Sequence, residues 1–402
     1  MSNAVSRRSF IQLAAAASAA AAIPIITEAQ LAYAQTRAKL ATPSSRDAVM
    51  INANENPLGP CASAREAIAR ITPEGGRYHQ DLTEDLIHEF ATMEKLDPDC
   101  IQCYGGSSSP LHYTVLAFTS PQRGFVTGDP GYEAGTFAAK LSGAKVYQVP
   151  LVKGTYAHDV KAMVAADPNA GVIYITNPNN PTGTTTSREE IQYALDNRPQ
   201  GSVLLIDEAY IHFSDAQPSL DLVRAGKEVI VLRTFSKLYG MAGLRCGFAI
   251  GRPDLLAKVD AYNGWNSPPI TAVAAAIASL RDTSVVATRK KINADARAET
   301  FAWLTKNGYS FVPSQSNCFM LNTGRNGNAV KDAMQQHNIY VGRVWPSWPS
   351  YVRITVGTPA EMTQFCSVYK QVTDAPVSAH LEPPTYAAER HLPLESRRNI
   401  LS

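Results

Sequence analysis

Three short apolar runs, each ending in a cluster of polar residues, constrain this chain more than any other feature. Val172-Ile173-Tyr174-Ile175, Val203-Leu204-Leu205-Ile206 and Val229-Ile230-Val231-Leu232 are rich in β-branched side chains and bounded by polar, Gly or Pro positions. Strands covered on both faces read this way, because helices on each side of a parallel sheet leave no solvent face for polar residues. A helical pattern from Ser187 to Asn197 separates the first two runs, so the stretch from about Leu111 to Ile250 reads as α/β, built of βαβ crossovers. In an open sheet of this kind, ligands sit in the crevice outside the carboxyl ends of the strands. The first run delivers Asn177-Pro178-Asn179-Asn180-Pro181-Thr182-Gly183 to that edge, and the second delivers Asp207-Glu208-Ala209-Tyr210. The third delivers Arg233-Thr234-Phe235-Ser236-Lys237, with Arg245 eight residues on. One pocket would then hold an amide, a carboxylate, a phenol, a hydroxyl, an amine and a guanidinium.

A chain of 402 residues has room for more than one lobe, and its character changes beyond Asn266-Ser267-Pro268-Pro269. An alanine-rich helical segment runs from Ile270 to about Leu304. Short strands near Tyr309 to Val312 and Cys318 to Leu321, a helix near Ala329 to His337 and a strand at Val352 to Val356 complete a smaller α+β domain. The expected division is 1–34 as a leader, 35–75 as a segment joining the small domain, 76–268 as the large domain, 269–376 as the small domain and 377–402 as a tail. That tail carries Pro383, Pro384 and Pro393 without periodicity and reads as an extended arm or a disordered end.

Charge and cysteine usage exclude several classes. Lysine and arginine number 37 against 35 acidic residues, a formal net charge of +2. That balance offers no electrostatic case for nucleic acid or an anionic membrane surface. The six cysteines include only one CxxC, Cys100 to Cys103, with no second pair or histidine cluster, so neither a disulfide scaffold nor a metal site is expected. At the N-terminus, Ser6-Arg7-Arg8-Ser9-Phe10-Ile11 precedes a modest alanine-rich stretch from Ile11 to Ile26, and Ala32-Tyr33-Ala34 fits a small-x-small cleavage site. The arrangement resembles a twin-arginine export leader. It implies passage through the twin-arginine machinery to the periplasm or otherwise out of the cytoplasm, with Gln35 as the new N-terminus. The stretch is interrupted by Gln12, Ser18 and Pro24 and falls short of the ~20 apolar residues a membrane span needs, so no permanent anchor is expected. An N-terminal helix that is never cleaved is the alternative.

The polar set at the strand ends suits pyridoxal phosphate. That cofactor requires a lysine to form an imine, an acid opposite its ring nitrogen, donors to its phenolic oxygen and an anion site for its phosphate. On these motifs the sequence resembles the fold-type I pyridoxal-phosphate aminotransferases (class I/II), and within them the histidinol-phosphate aminotransferase branch, from about Ile51 to Met362. The resemblance implies a large domain with a mainly parallel sheet, a smaller α+β domain and a homodimer with a shared active site. It also implies transfer of an amino group between an L-amino acid, or a histidinol-phosphate-like amine, and a 2-oxo acid.

Residue by residue, the resemblance implies that Lys237 holds the cofactor as a Schiff base and shuttles the proton at the α-carbon. Asp207 would face the pyridine nitrogen, and Tyr210 and Asn180 would donate to the phenolic oxygen. Gly106, Ser107 and Ser108, in Tyr104-Gly105-Gly106-Ser107-Ser108-Ser109-Pro110, would hold the phosphate together with Ser236 and Arg245. Tyr132 would stack on the ring, and Tyr78, in Arg77-Tyr78-His79, would complete the neighbouring subunit's phosphate site. Arg353 would bind the substrate α-carboxylate, with Arg343 nearby, and Asn54 would lie in the segment that closes over the substrate.

Three features depart from the branch. Ser108-Ser109-Pro110 stands where acidic residues are usual, and Gly342 stands where the branch places a phosphate-binding arginine, with Arg343 one position later. The third is the leader, which would carry the enzyme away from cytosolic histidinol phosphate. Trp345, Trp348 and Tyr351 follow Arg343 and suggest either a more aromatic pocket, hence an aromatic or otherwise apolar amino acid as substrate, or simply part of the core. Two other readings stay open. The same fold could host a lyase, racemase or decarboxylase, because motifs do not fix which α-carbon bond breaks. A non-catalytic binding protein could have kept the fold, against which the presence of both Lys237 and Asp207 counts.

Overall fold

Stiff, branched side chains without a polar face belong inside a covered sheet, and the three apolar runs lie there. The computed structural model describes residues 27–28, 48–264 and 267–374, so the paired arginines, the Ala32-Tyr33-Ala34 site and the tail lie outside the described residues. In chain order the strands are β1 (Val49–Ile51), β2 (Ile101–Tyr104), β3 (Phe125–Asp129), β4 (Val146–Pro150), β5 (Val172–Thr176) and β6 (Val203–Asp207). There follow β7 (Val229–Thr234), β8 (Gly247–Gly251), β9 (Ser310–Phe311), β10 (Cys318–Asn322), β11 (Ile339–Val341) and β12 (Tyr351–Thr355).

The large sheet has seven strands in the order β2-β8-β7-β6-β5-β3-β4. Five of them, β3 to β7, run parallel, while β8 is antiparallel to both β7 and β2. Side chains alternate between the two faces along each strand. Ile173, Ile175, Leu204, Ile206, Val229 and Val231 enter one core, and Val172, Tyr174, Val203, Leu205, Ile230 and Leu232 enter the other. Each fully buried aliphatic side chain of this kind contributes about 1.5–3 kcal/mol. Register then sets the site: Thr176 lies opposite Asp207, and Asp207 opposite Leu232, so the polar residues after all three runs emerge at one level. A buried ion pair between Arg233 Nε and Glu208 (2.7 Å) ties the ends of β6 and β7 together.

The smaller lobe holds an antiparallel sheet, β12-β10-β9, and a parallel pair, β1-β11. Of the segment 35–75, the described residues divide between the lobes: β1 pairs with β11 in the small one, whereas the helix Ala62–Ile71 sends Ala64 into the large core. The helical stretch expected from Ile270 to Leu304 is not continuous. It breaks into Ile270–Arg281 and Ser284–Lys306, which meet at 87°. Asp282 makes the break by accepting hydrogen bonds from the Ser284 backbone N–H and hydroxyl, which starts a new helix. The first of these helices packs on the large core and the second reaches the small one through Ala296 and Leu304, so the lobes part within the second helix rather than at residue 269.

Candidate active site

A cavity of about 250 Å³ opens at the carboxyl ends of β5, β6 and β7. Its lining includes Ser107, Ser108, Tyr132, Asn180, Asp207, Tyr210, Ser236, Lys237 and Arg245, so the sequence-derived residues of the large domain converge. Gly106 lies beside them. Arg343 and Arg353 reach the same place from the small lobe. Only Tyr78 stands apart, 86% exposed on the surface.

One end of the cavity is built for an anion. Ser107 precedes the helix Ser108–Phe118, whose first N–H groups are free of intrahelical partners and form the positive end of its dipole. Arg245 donates to the Ser236 hydroxyl at 3.2 Å. Gly106 has a φ of +92°, and a Cβ there would lie 2.2 Å from Arg245 Nη2; a Cβ on Gly247 would lie 2.9 Å from the Ser107 nitrogen. Both glycines thus keep a guanidinium and a helix terminus converging on one small space, which fits a phosphate.

Asp207 occupies the floor. Its two oxygens accept from the Tyr174 hydroxyl (2.8 Å) and the Ala209 N–H (3.0 Å). Burial nevertheless lifts its pKa to about 6, outweighing those hydrogen bonds and the nearby Lys237. A cation opposite this carboxylate, such as a protonated pyridine nitrogen, would relieve that penalty. Lys237 is also buried, and the loss of hydration brings its amine down to about 8. Its Nζ donates to the carbonyl of Asn54 at 3.0 Å. Asn54 holds a left-handed backbone (φ 54°), a conformation asparagine tolerates, and its side chain donates to the Tyr210 hydroxyl at 3.0 Å. Burial raises the Tyr210 phenol far above its ordinary value, so it stays protonated and able to donate.

The other end is cationic and belongs to the small lobe. Arg353, on β12, is fully buried and donates to the Asn180 side-chain oxygen (2.9 Å) and the Asn52 carbonyl (2.6 Å). Arg343 pairs with Glu133 at 2.7 Å. The structure also explains why the arginine stands at 343: a Cβ on Gly342 would lie 2.5 Å from the Arg353 carbonyl, so no side chain fits there.

Three placements differ from expectation. Trp345, Trp348 and Tyr351 do not line the cavity. Trp345 is buried beneath both guanidiniums, 4.6 Å from Arg343 and 5.7 Å from Arg353, and donates to the Gly131 carbonyl. Trp348 and Tyr351 pack with Tyr156 beside it, so these aromatics support the arginines. Tyr174 was hidden within an apolar run and emerges as the partner of Asp207. Finally, Thr27 and Glu28, within the expected leader, line the cavity.

Residues 46–368 match the family of aminotransferases of class I and II, and the chain belongs to that family. It is a pyridoxal-phosphate-dependent aminotransferase of the α/β fold shared by its structural neighbours. A histidinol-phosphate aminotransferase of Symbiobacterium thermophilum is 33% identical over 332 residues, which span 81% of this chain and 90% of that protein. An aromatic amino acid aminotransferase of Cutibacterium acnes is 32% identical over 319 residues, 78% of this chain and 90% of that one. The crystal structure of histidinol-phosphate aminotransferase from Sinorhizobium meliloti in complex with pyridoxal-5'-phosphate has a TM-score of 0.77 at 25% identity, covering 92% of this chain and 99% of that one.

Proposed function

We propose that the amino donor is an L-amino acid with a single carboxylate and an uncharged side chain, and that a 2-oxo acid accepts the group. The charge balance at the small-lobe end carries this reading. Glu133, against Arg343, offsets one of the two guanidiniums, so the end is matched to one negative charge. A phosphate dianion there would exceed the remaining positive charge inside a low-dielectric pocket.

The residues then divide the work. Ser107, Ser108, Ser236 and Arg245 would hold the cofactor phosphate, and Tyr132 its ring. Asp207 would keep a proton on the ring nitrogen, while Tyr210 and Asn180 would donate to the phenolic oxygen. Bound pyridoxal phosphate supplies an electron sink that makes the α-proton acidic. Lys237, with its amine near neutrality at about 8, is able to take that proton and return it at the next atom. Arg353 would grip the α-carboxylate with a planar fork and fix the orientation of the α-carbon. A carboxylate anchored by a buried arginine favours loss of the proton over loss of the carboxylate, which counts against a decarboxylase.

A panel of L-amino acids tested with the purified holoenzyme checks the donor class. Neutral monocarboxylic amino acids should exceed both aspartate and histidinol phosphate in kcat/KM by tenfold or more. Preference for histidinol phosphate would overturn the assignment.

Two further parts of the reading concern where and with what the enzyme works. The paired arginines, the short apolar stretch and Ala32-Tyr33-Ala34 support export through the twin-arginine machinery. Changing Arg7 and Arg8 together to lysine should then retain uncleaved protein in the cytoplasm; unchanged export would refute the claim. Tyr78 supports a homodimer, since a large aromatic side chain left 86% exposed suits delivery to the site of a second copy.

A further inference from the structure

We propose that Glu28 is a built-in occupant of the substrate carboxylate site, closing the full-length chain to amino acids until the leader is removed. The proposal rests on the reading of Arg353 and Arg343 as the carboxylate end of the site.

Glu28 presents to those arginines the group an amino acid would bring. Oε1 accepts from Arg353 Nη2 at 2.6 Å, and Oε2 accepts from Arg343 Nη2 at 3.1 Å and from Asn180 Nδ2 at 3.3 Å. A carboxylate spread across two guanidiniums and an amide is the arrangement expected for the substrate itself. The contact is also enclosed: the Glu28 side chain is 12% exposed, Arg343 2% and Arg353 0%. Burial alone would raise the pKa of this carboxyl, but Arg343, Arg353 and Lys237 outweigh it and hold the value at about 2. Glu28 therefore stays charged well below neutral pH, and the competition does not lapse on mild acidification.

Its ion pairs lie at one end of the cavity, and only its contact with Asn180 touches a residue assigned to the cofactor. The contacts of Glu28 are with Arg343, Arg353 and Asn180, whereas Ser236 and Arg245 bond to each other and Lys237 bonds to the Asn54 carbonyl. The phosphate cradle and the lysine thus remain accessible to the cofactor while the carboxylate end is covered. A chain in this state could load pyridoxal phosphate before it handles an amino acid. Tethering makes the competitor effective, since a group on the same chain acts at an effective concentration in the millimolar range. If the occupied form makes up 99% of the population, the apparent affinity for substrate falls ~100-fold. Cleavage after Ala34 would take Glu28 away with the leader.

The test uses the full-length holoenzyme as wild type, Glu28→Gln and Glu28→Ala. Calorimetry with 3-phenylpropionate measures carboxylate binding without turnover, because that acid has no amino or oxo group to react. Glu28→Ala should bind it at least tenfold more tightly than wild type, Glu28→Gln should show a smaller gain, and a visible band from bound cofactor should remain in all three. Glu28→Gln keeps the side-chain shape and preserves the comparison if the alanine variant folds poorly. Equal affinity in all three overturns the occlusion alone. Weaker binding by Glu28→Ala, the mark of a lid that helps to hold substrate, also overturns it. Binding by none of them overturns both the occlusion and the carboxylate assignment on which it rests.

Discussion

Lys237→Ala should lower kcat/KM by about 10⁴-fold or more, because proton transfer by a positioned group alone is worth roughly 10²–10⁴-fold. The loss follows from the position of the side chain. Lys237 is the lysine that lines the cavity, between Asp207 on the floor and the arginines of the small lobe. Steady-state rates at saturating pyridoxal phosphate, with the absorbance of the bound cofactor followed in parallel, provide the check. Activity above about 1% of wild type would assign the proton to another group. The same variant tests the shared site. If two copies share a site, mixing it with Tyr78→Phe should form hybrid dimers in which one site pairs an intact Lys237 with the partner's Tyr78. Partial recovery is expected, and no recovery would argue that each subunit completes its own phosphate site.

The second large effect is expected at Arg353. Arg353→Lys keeps the charge but replaces a planar fork with a single ammonium group, which cannot serve Asn180, Asn52 and a substrate carboxylate together. Weakening one member of a buried, hydrogen-bonded charge pair costs about 2–5 kcal/mol, so kcat/KM should fall by ~30-fold to a few thousandfold. Most of the change should appear in KM, because the carboxylate is bound alike in the ground and transition states. A fall in kcat with KM unchanged would mean that Arg353 acts on the chemistry and not on binding. Arg353 also holds Glu28, so the comparison belongs in the Glu28→Ala background as well, where the internal competitor no longer offsets the loss.

Much of this arrangement was legible from local sequence. The apolar runs are continuous because β5, β6 and β7 are covered on both faces, and Asp207 and Lys237 follow their strands directly, so position along the chain reports position in the pocket. Contacts between distant segments carried no such signal. Glu28 meets Arg343 and Arg353 across separations of 315 and 325 residues, and its place within the expected leader points away from any role in the site. Tyr174 matched its neighbours in hydrophobicity, and only the register of β5 against β6 aims its hydroxyl at Asp207. The helix break at Asp282 lacks Gly or Pro, so the local sequence signals it only weakly, through Asp-Thr-Ser as a start signal. The aromatic run after Arg343 was read as pocket wall because sequence does not show which side of an arginine a tryptophan will cover.

Asn54 gives the two lobes a common hinge pin. Its backbone N–H donates to the Thr355 hydroxyl at 3.0 Å, two residues beyond Arg353 on β12, while its carbonyl receives Lys237 and its amide reaches Tyr210. The strand that carries Arg353 and the amine of Lys237 therefore share one joint. If the small lobe rotates, any shift of β12 near Arg353 would also change the restraint on Lys237 through Asn54. By thermodynamic reciprocity, the state of the lysine feeds back on how firmly the carboxylate is held. A single asparagine would then gear recognition to reactivity.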